Sequence, residues 1–230
     1  MKQTWISLRF FTIAMLMAGL VIALDLGLTP QIATSEPKTL QVLPLSTPLS
    51  PARSYGHFPY RENDSARLQT VGQYVRNNAS RPESMDIEAV QAFQQMSIAA
   101  KQSGVLLMPL SGFRSVRVQT GLWKQQIARR GSQQAAAKWS APPGYSEHHT
   151  GYALDIADQT RPNTDLRISF ENTRAYQWLA KNGSQYGFEL SFPLNNKQGI
   201  GYEPWHWRYV GSARAEQVFA LAHQTLQLLL

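Results

Sequence analysis

The chain has no cysteine. No disulfide can brace it, and any metal it holds must be bound through nitrogen and oxygen rather than thiolate. Charge is sparse too, at 16% of residues, and no dense Lys/Arg run or basic–aromatic ladder of the kind that follows a nucleic-acid strand is present. Nucleic acid is therefore not an expected partner. The net charge of +7 suits anionic polymers more generally, and because Lys2, Arg9, Asp25 and Glu36 cancel, the excess lies beyond residue 36. Internal repeats are absent, as is the regular strand–helix alternation that builds a doubly wound sheet. A length of 230 residues allows one domain with a real core, plus accessory segments.

The one long apolar run is at the start. Lys2 and Arg9 precede Phe10 to Leu24, which carry no charge. A basic segment before an apolar one is a secretory signature. The run is short for a spanning helix of about 17–25 residues, but flanking Trp5 to Leu8 and Leu26 to Leu28 can extend it. No small-x-small cleavage site follows Leu24. Residues 1–28 are thus expected to be an uncleaved membrane anchor, with a removed signal peptide as the alternative, and the rest of the chain to lie outside the cytoplasm. Residues 29–51 hold Pro30, Pro37, Pro44, Pro48 and Pro51, a composition for an extended linker.

Residues 52–230 carry the folding signals. Asp86 is a candidate N-cap for a helix with Val90, Phe93, Met96 and Ala100 on one face and Gly104 at its end. Val105 to Leu110 suits a buried strand. Val116 to Arg130 suits a second helix, with Leu122, Trp123 and Ile127 inward and Gly131 after it. Tyr152 to Ile156, Phe188 to Phe192 and Trp205 to Val210 suit strands, while Thr173 to Lys181 and Ala213 to Leu229 suit helices. The expected class is α+β, a small antiparallel sheet flanked by helices, in a monomer.

Two stretches, which hold three of the five histidines, stand out: Ser146-Glu147-His148-His149-Thr150-Gly151-Tyr152-Ala153-Leu154-Asp155 and Glu203-Pro204-Trp205-His206-Trp207. A hydrolytic zinc site needs three His or carboxylate ligands, an open position, and a nearby unligated carboxylate to take a proton. His148, Asp155 and His206 can be the ligands and Glu203 the base. Each piece alone is also compatible with a structural role, and Trp205 and Trp207 with plain core packing or with a dry wall around His206.

Three stretches in order, Ser111-Gly112-Phe113-Arg114-Ser115 with Gln119, Ser146-x-His148-x-x-Gly151-x-Ala153-x-Asp155, and Glu203-x-x-His206-Trp207, resemble the VanY-type D-alanyl-D-alanine carboxypeptidases. These belong to the lysostaphin-like, D-Ala-D-Ala and sonic-hedgehog-related metallopeptidases. The resemblance runs from about His57 to Gly211. It implies a hedgehog/D,D-peptidase-like fold, a Zn2+ ion on His148, Asp155 and His206, and Glu203 as catalytic carboxylate. It also implies Arg114 as the group that stabilises the oxyanion or holds substrate, with Ser115, Gln119 and Ser146 on the peptide-binding side. The implied substrate is a peptidoglycan stem peptide ending in D-Ala. L,D-carboxypeptidase, endopeptidase and non-catalytic wall- or metal-binding members of the group are the alternatives. Phe113 departs from the family, where Tyr is frequent. His149 falls outside the ligand spacing and is expected beside the site or at the surface; His57 and His223 are expected to be structural.

Overall fold

The computed structural model describes residues 52–77 and 79–227, with side chains to residue 224. The apolar run at 1–28 and the proline-rich segment at 29–51 lie outside the described residues. Among those described, no helix is long and apolar enough to cross a membrane.

Two antiparallel sheets organise the domain. The first is a hairpin of β1 (Leu68–Arg76) and β2 (Ala79–Asp86). The second contains β3 (Leu107–Ser111), β4 (Ala153–Asp158), β5 (Phe188–Leu190) and β6 (His206–Tyr209), in the order β3-β4-β6-β5. Around them pack α1 (Ile87–Gln102), α2 (Val116–Arg130), α3 (Gln133–Ala137), α4 (Arg174–Asn182) and α5 (Ala213–Gln227). The α+β class is as expected, with a second sheet that the sequence pattern did not announce.

Local chemistry accounts for most boundaries. Asp86 caps α1 by accepting the Glu88 N–H, and the helix buries Ala89, Val90, Phe93, Met96 and Ala100 along one stripe. Ser115 caps α2, and Gly131 closes it in the left-handed region, at φ 81°. The expected inward face of α2 needs one correction. Trp123 is buried and Ile127 packs against it, but Leu122 is 37% exposed. One residue is a rotation of about 100° on a helix, so Leu122 turns away from the stripe that meets Ala136 and Ala137 of α3.

The hairpin escaped notice because β2 reads Ala-Ser-Arg-Pro-Glu-Ser-Met-Asp, poor in β-branched and aromatic residues and interrupted by Pro82. Its turn uses Asn77 at φ 51°, a conformation Asn tolerates better than most residues.

The main core lies between α1, the four-stranded sheet, α4 and α5, and includes Phe93, Met96, Leu154, Ile156, Leu179 and Phe219. All six residues of β4 are buried. That strand and β6 present Asp155 and His206 as a directly opposed pair, and side chains at such positions start about 4.5–5.5 Å apart.

Candidate metal centre

The centre begins at a 3-10 turn, Glu147–Thr150, that feeds β4. Gly151 ends it at φ 71°, where a Cβ would lie 2.8 Å from Asn63 Nδ2 and 3.1 Å from the Asp86 backbone nitrogen. Consecutive side chains in this turn go to different partners. Those of Glu147, His148 and His149 are all buried.

His148 Nδ1 is 2.8 Å from the Gly112 carbonyl oxygen. A carbonyl only accepts, so Nδ1 carries the proton and Nε2 offers its lone pair. Nε2 lies 3.5 Å from Asp155 Oδ2. His206 is turned the other way: Nε2 is 3.1 Å from Glu147 Oε2, and Nδ1 is 3.1 Å from Asp155 Oδ1. The two imidazoles are nearly perpendicular, at 86°, with centroids 4.8 Å apart. One ligand atom from each of His148, Asp155 and His206 falls within 4.8 Å of the others.

This arrangement fits a metal ion. Asp155 Oδ1 is buried without a hydrogen-bond partner although His206 Nδ1 is 3.1 Å away. The two atoms are therefore close without being aimed at each other. Donor atoms about 2.0–2.2 Å from a common tetrahedral centre are about 3.3–3.6 Å apart, close to the 3.1 and 3.5 Å that separate Asp155 from the two imidazoles. Two imidazole nitrogens and one carboxylate suit zinc with an open position. Glu147 accepting from His206 Nε2, and Gly112 O accepting from His148 Nδ1, are the outer hydrogen bonds that orient ligating imidazoles.

The charges are strongly coupled. Burial, reinforced by Arg114, lowers His148 to about 4, leaving it neutral. Burial would also lower His206, but the Asp155 and Glu147 carboxylates outweigh it and raise it to about 10. Burial would raise Asp155, yet its imidazole neighbours hold it well below the usual carboxylate range. Without a cation the site thus keeps a proton on His206, which a metal must displace.

Glu203 Oε2 is 3.7 Å from His206 Nδ1. Burial pushes its carboxyl up to about 8, partly offset by His206; a cation at the neighbouring ligands favours the ionised form. Arg114 is held at both ends. Its N–H donates to His148 O at 3.1 Å and its carbonyl accepts from His149 Nδ1 at 2.6 Å. Its guanidinium donates to Gln119 Oε1 at 3.0 Å and Ser111 Oγ at 2.8 Å, and Nη2 lies 3.9 Å from Asp155 Oδ2.

The remaining motif residues divide. Ser146 is buried on the wall of the cleft, a space of about 350 Å³ that also meets Arg114, Glu203 and Trp205. Gln119 is not on that wall, a correction to its expected place on the peptide side. It has no exposed surface, and its amide donates to Ala141 O at 2.6 Å while accepting from Arg114. Ser115 accepts the Val118 N–H at 3.2 Å as the α2 cap and does not line the cleft. His149 is buried rather than superficial: besides Arg114 O, its Nε2 accepts from Gly144 N at 3.1 Å. Trp205 both walls the cleft and joins the core, whereas Trp207 lies in the core without lining the cleft and donates to Pro204 O. His57 donates to Ala137 O, and His223 meets Glu189.

Sequence reasoning passed over two groups. Glu147 is fully buried and hydrogen-bonded to Ser191 Oγ at 2.7 Å and Arg208 Nη1 at 2.8 Å, besides His206. Arg208, 2% exposed, also donates to Glu189 at 2.6 Å. The signal was available: β-strand period places Arg208 on the same face as His206, and a buried Arg there needs a carboxylate.

Three inward protein ligands, a free carboxylate and an adjacent guanidinium make the donor set of a hydrolytic metal centre. The family described as VanY, D-alanyl-D-alanine carboxypeptidase, matches residues 82–212, and the chain belongs to that family. A D-alanyl-D-alanine carboxypeptidase of Enterococcus faecalis is 33% identical over 157 residues, covering 64% of this chain and 55% of that protein. The chain spans about half the length of the first curated relatives it matches, 48% and 55%. Among solved structures, the LdcB LD-carboxypeptidase is 28% identical with a TM-score of 0.61, covering 74% of this chain and 81% of that one. A vancomycin-resistance D,D-pentapeptidase VanY in complex with Zn(II) is 25% identical with a TM-score of 0.51, covering 75% and 99%.

Proposed function

We propose that the protein is a zinc-dependent D-alanyl-D-alanine carboxypeptidase acting on peptidoglycan stem peptides. The observation that carries this reading is the convergence of His148 Nε2, His206 Nδ1 and the orphaned Asp155 Oδ1, with Glu203 beside them. When bound to those atoms, zinc would supply Lewis acidity and make hydroxide available near neutral pH. Glu203 would take the proton from the attacking water and pass it to the leaving amine. Arg114, held rigidly by Gln119, Ser111 and the two backbone contacts, would meet the negative charge that develops on the scissile carbonyl oxygen. Its planar fork suits that task better than a lysine. Phe192, centred 5.0 Å from the His206 ring, and Trp205 would keep water away from that side.

An L,D-carboxypeptidase is the second reading, favoured by the likeness to LdcB. Residues 1–28 would tether a monomeric catalytic domain, through the linker 29–51, to the outer face of the membrane. Purified full-length protein, with and without chelator, should be given a pentapeptide ending in D-Ala-D-Ala and a tetrapeptide ending in one D-Ala. Chelator-sensitive release of D-Ala from the pentapeptide alone is the expected result. Release only from the tetrapeptide would replace this reading with the second, and no release from either would end both.

A further inference from the structure

The two imidazoles of the metal centre are held from behind by different means. His148 Nδ1 meets a backbone carbonyl, Gly112 O. His206 Nε2 instead meets a side chain, the Glu147 carboxylate, at 3.1 Å. An imidazole that offers Nδ1 to a metal keeps its proton on Nε2, so the acceptor behind it sets both tautomer and ring angle. A glutamate has rotamer freedom to lose before it can do this, and Glu147 is fixed at both oxygens. Oε2 accepts from Ser191 Oγ at 2.7 Å as well as from His206, and Oε1 accepts from Arg208 Nη1 at 2.8 Å. Arg208 is held in turn by two elements. Its Nε donates to Glu189 Oε1 of β5 at 2.6 Å, and its guanidinium carbon lies 5.1 Å from the centre of the Phe219 ring of α5. Phe219 has no exposed surface and packs edge-on to Tyr60, with centroids 5.6 Å apart. One turn further along α5, His223 Nε2 donates to the same Glu189 oxygen at 2.7 Å. Contacts thus run without a break from α5 through Arg208 and Glu147 to the back of His206.

We propose that Arg208 is a positioning residue of the metal centre, clamped by Phe219 and the Glu189–His223 pair, so that the docking of α5 sets how tightly the centre holds zinc. The role rests on the metal site described above and is independent of which peptide is the substrate. Arg208 does not line the cleft and acts only through Glu147. Its fork carries separate donors and so answers Glu147 and Glu189 at once, whereas a lysine ammonium is a single point charge. A buried ion pair is by itself weak evidence of a stabilising role. This one ends on a metal ligand, where a loosened carboxylate frees the His206 ring to turn.

Full-length protein is compared with Arg208→Lys, Phe219→Leu and His223→Ala, and with Met96→Ala, a fully buried core change on α1 outside this row of contacts. Zinc affinity is measured by chelator competition, at a temperature where circular dichroism shows each protein folded. Arg208→Lys should weaken zinc binding by about 10- to 100-fold, the usual cost of losing an outer partner of a ligand. Phe219→Leu and His223→Ala should each weaken it by about two- to tenfold, the size expected of groups that touch no ligand. Met96→Ala should lose stability and keep its zinc affinity. In nitrogen-15 spectra of the zinc-loaded protein, the His206 Nε2–H signal should persist in wild type and be lost to exchange with water in Arg208→Lys. Unchanged affinity in a folded Arg208→Lys protein overturns the proposal, as does an equal loss in Met96→Ala, which would trace the effect to general loosening. Weakening in Arg208→Lys alone upholds the positioning role and overturns the part given to α5. Should Arg208→Lys fail to fold, the two α5 variants decide, and unchanged affinity in both overturns the proposal. Wild type that binds no zinc would strike the metal centre itself, and this role with it, a result distinct from wild-type affinity in the variants.

Discussion

The two sheets are built from opposite chemistry and serve the centre in different ways. In the four-stranded sheet, β4 and β6 are buried at every position. Register there is fixed by packing, since a one-residue slip would drive every core side chain to the wrong face. Such strands can hold Asp155 and His206 to the tolerance a metal demands. In the hairpin, only Val71 of β1 and Met85 of β2 reach the hydrophobic core, and the other ties are polar. Asp86 accepts from Arg67 Nε at 2.8 Å and Asn63 Nδ2 at 2.8 Å while capping α1. Yet the hairpin still reaches the site through backbone: Glu83 Oε2 accepts from Gly112 N at 2.9 Å, and Ser84 O accepts from Phe113 N at 2.6 Å. A polar element thus sets the loop from which Gly112 orients His148 and Arg114 faces the ligands. Ligand geometry comes from the buried sheet, and loop placement from the hairpin.

The largest effect should come from the buried sheet and its approach. Glu203→Gln keeps size and hydrogen bonding but loses the proton acceptor, so turnover should fall about 10²- to 10⁴-fold with zinc retained. His206→Ala should lose zinc and activity together. Rate and zinc content measured side by side decide it. Near-wild-type turnover in Glu203→Gln would mean that another group takes the proton.

Next comes the junction between the sheets. A Cβ on Gly112 would sit 2.2 Å from the Ser84 carbonyl oxygen, a backbone atom that cannot swing aside. Gly112→Ala should cost about 1–3 kcal/mol of stability, in the range of an overpacked site, and weaken zinc binding by moving the carbonyl that holds His148. Chemical denaturation and chelator competition report the two effects separately. Full stability with unchanged zinc affinity would show that the hairpin does not set this loop.

Smaller still is a pH effect carried by the hairpin. Burial alone would raise Asp86, but Arg67, Asn63 and the Glu88 N–H outweigh it and lower its pKa. A depressed folded-state pKa adds stability that is present above the unfolded value, about 3.9, and is lost as pH falls through the folded one. Melting temperature should therefore drop on acidification below about pH 4, and Asp86→Asn, less stable at neutral pH, should show a shallower acid decline. An identical acid slope in both proteins would take the effect away from Asp86.

The smallest change is expected on the hairpin's outer face. Val75 is 45% exposed, and Val75→Thr should alter stability by no more than about 0.5 kcal/mol. A larger loss in denaturant melts would show that this face is covered in the full-length protein.

The same contrast explains what could be read from the sequence. Val116–Arg130 and the capped start of α1 follow from local signals: Ser115 and Asp86 at the caps, Gly131 at the stop, helical spacing between. The ligands lie in dense His/carboxylate clusters and were nameable as candidates. The hairpin was not, because β2 is poor in strand-forming residues and is held by contacts with Arg67, Gly112 and the core around Met85 that no local propensity records. Glu147 was passed over for a similar reason. Its partners Ser191, His206 and Arg208 are distant in sequence, and its burial is visible only once the turn closes. Gln119 was found through its motif, but only the fold shows it bracing Arg114 from behind the wall.

The turn Glu147–Thr150 also has a consequence for the order in which the molecule assembles. Its side chains bond across gaps of 36 residues to Gly112, 35 to Arg114 and 61 to Arg208. Contacts that close such long loops are entropically costly to form early and tend to come late. A newly made chain carries His148 and Asp155 long before β6 delivers His206, so it has only part of a metal-binding set while the domain is still incomplete. Tight zinc capture then waits on the last strand, and metal uptake becomes a reporter of completed folding. In a refolding experiment started from denaturant, tight zinc binding should lag the helical circular-dichroism signal; zinc bound tightly before that signal develops would reverse this order.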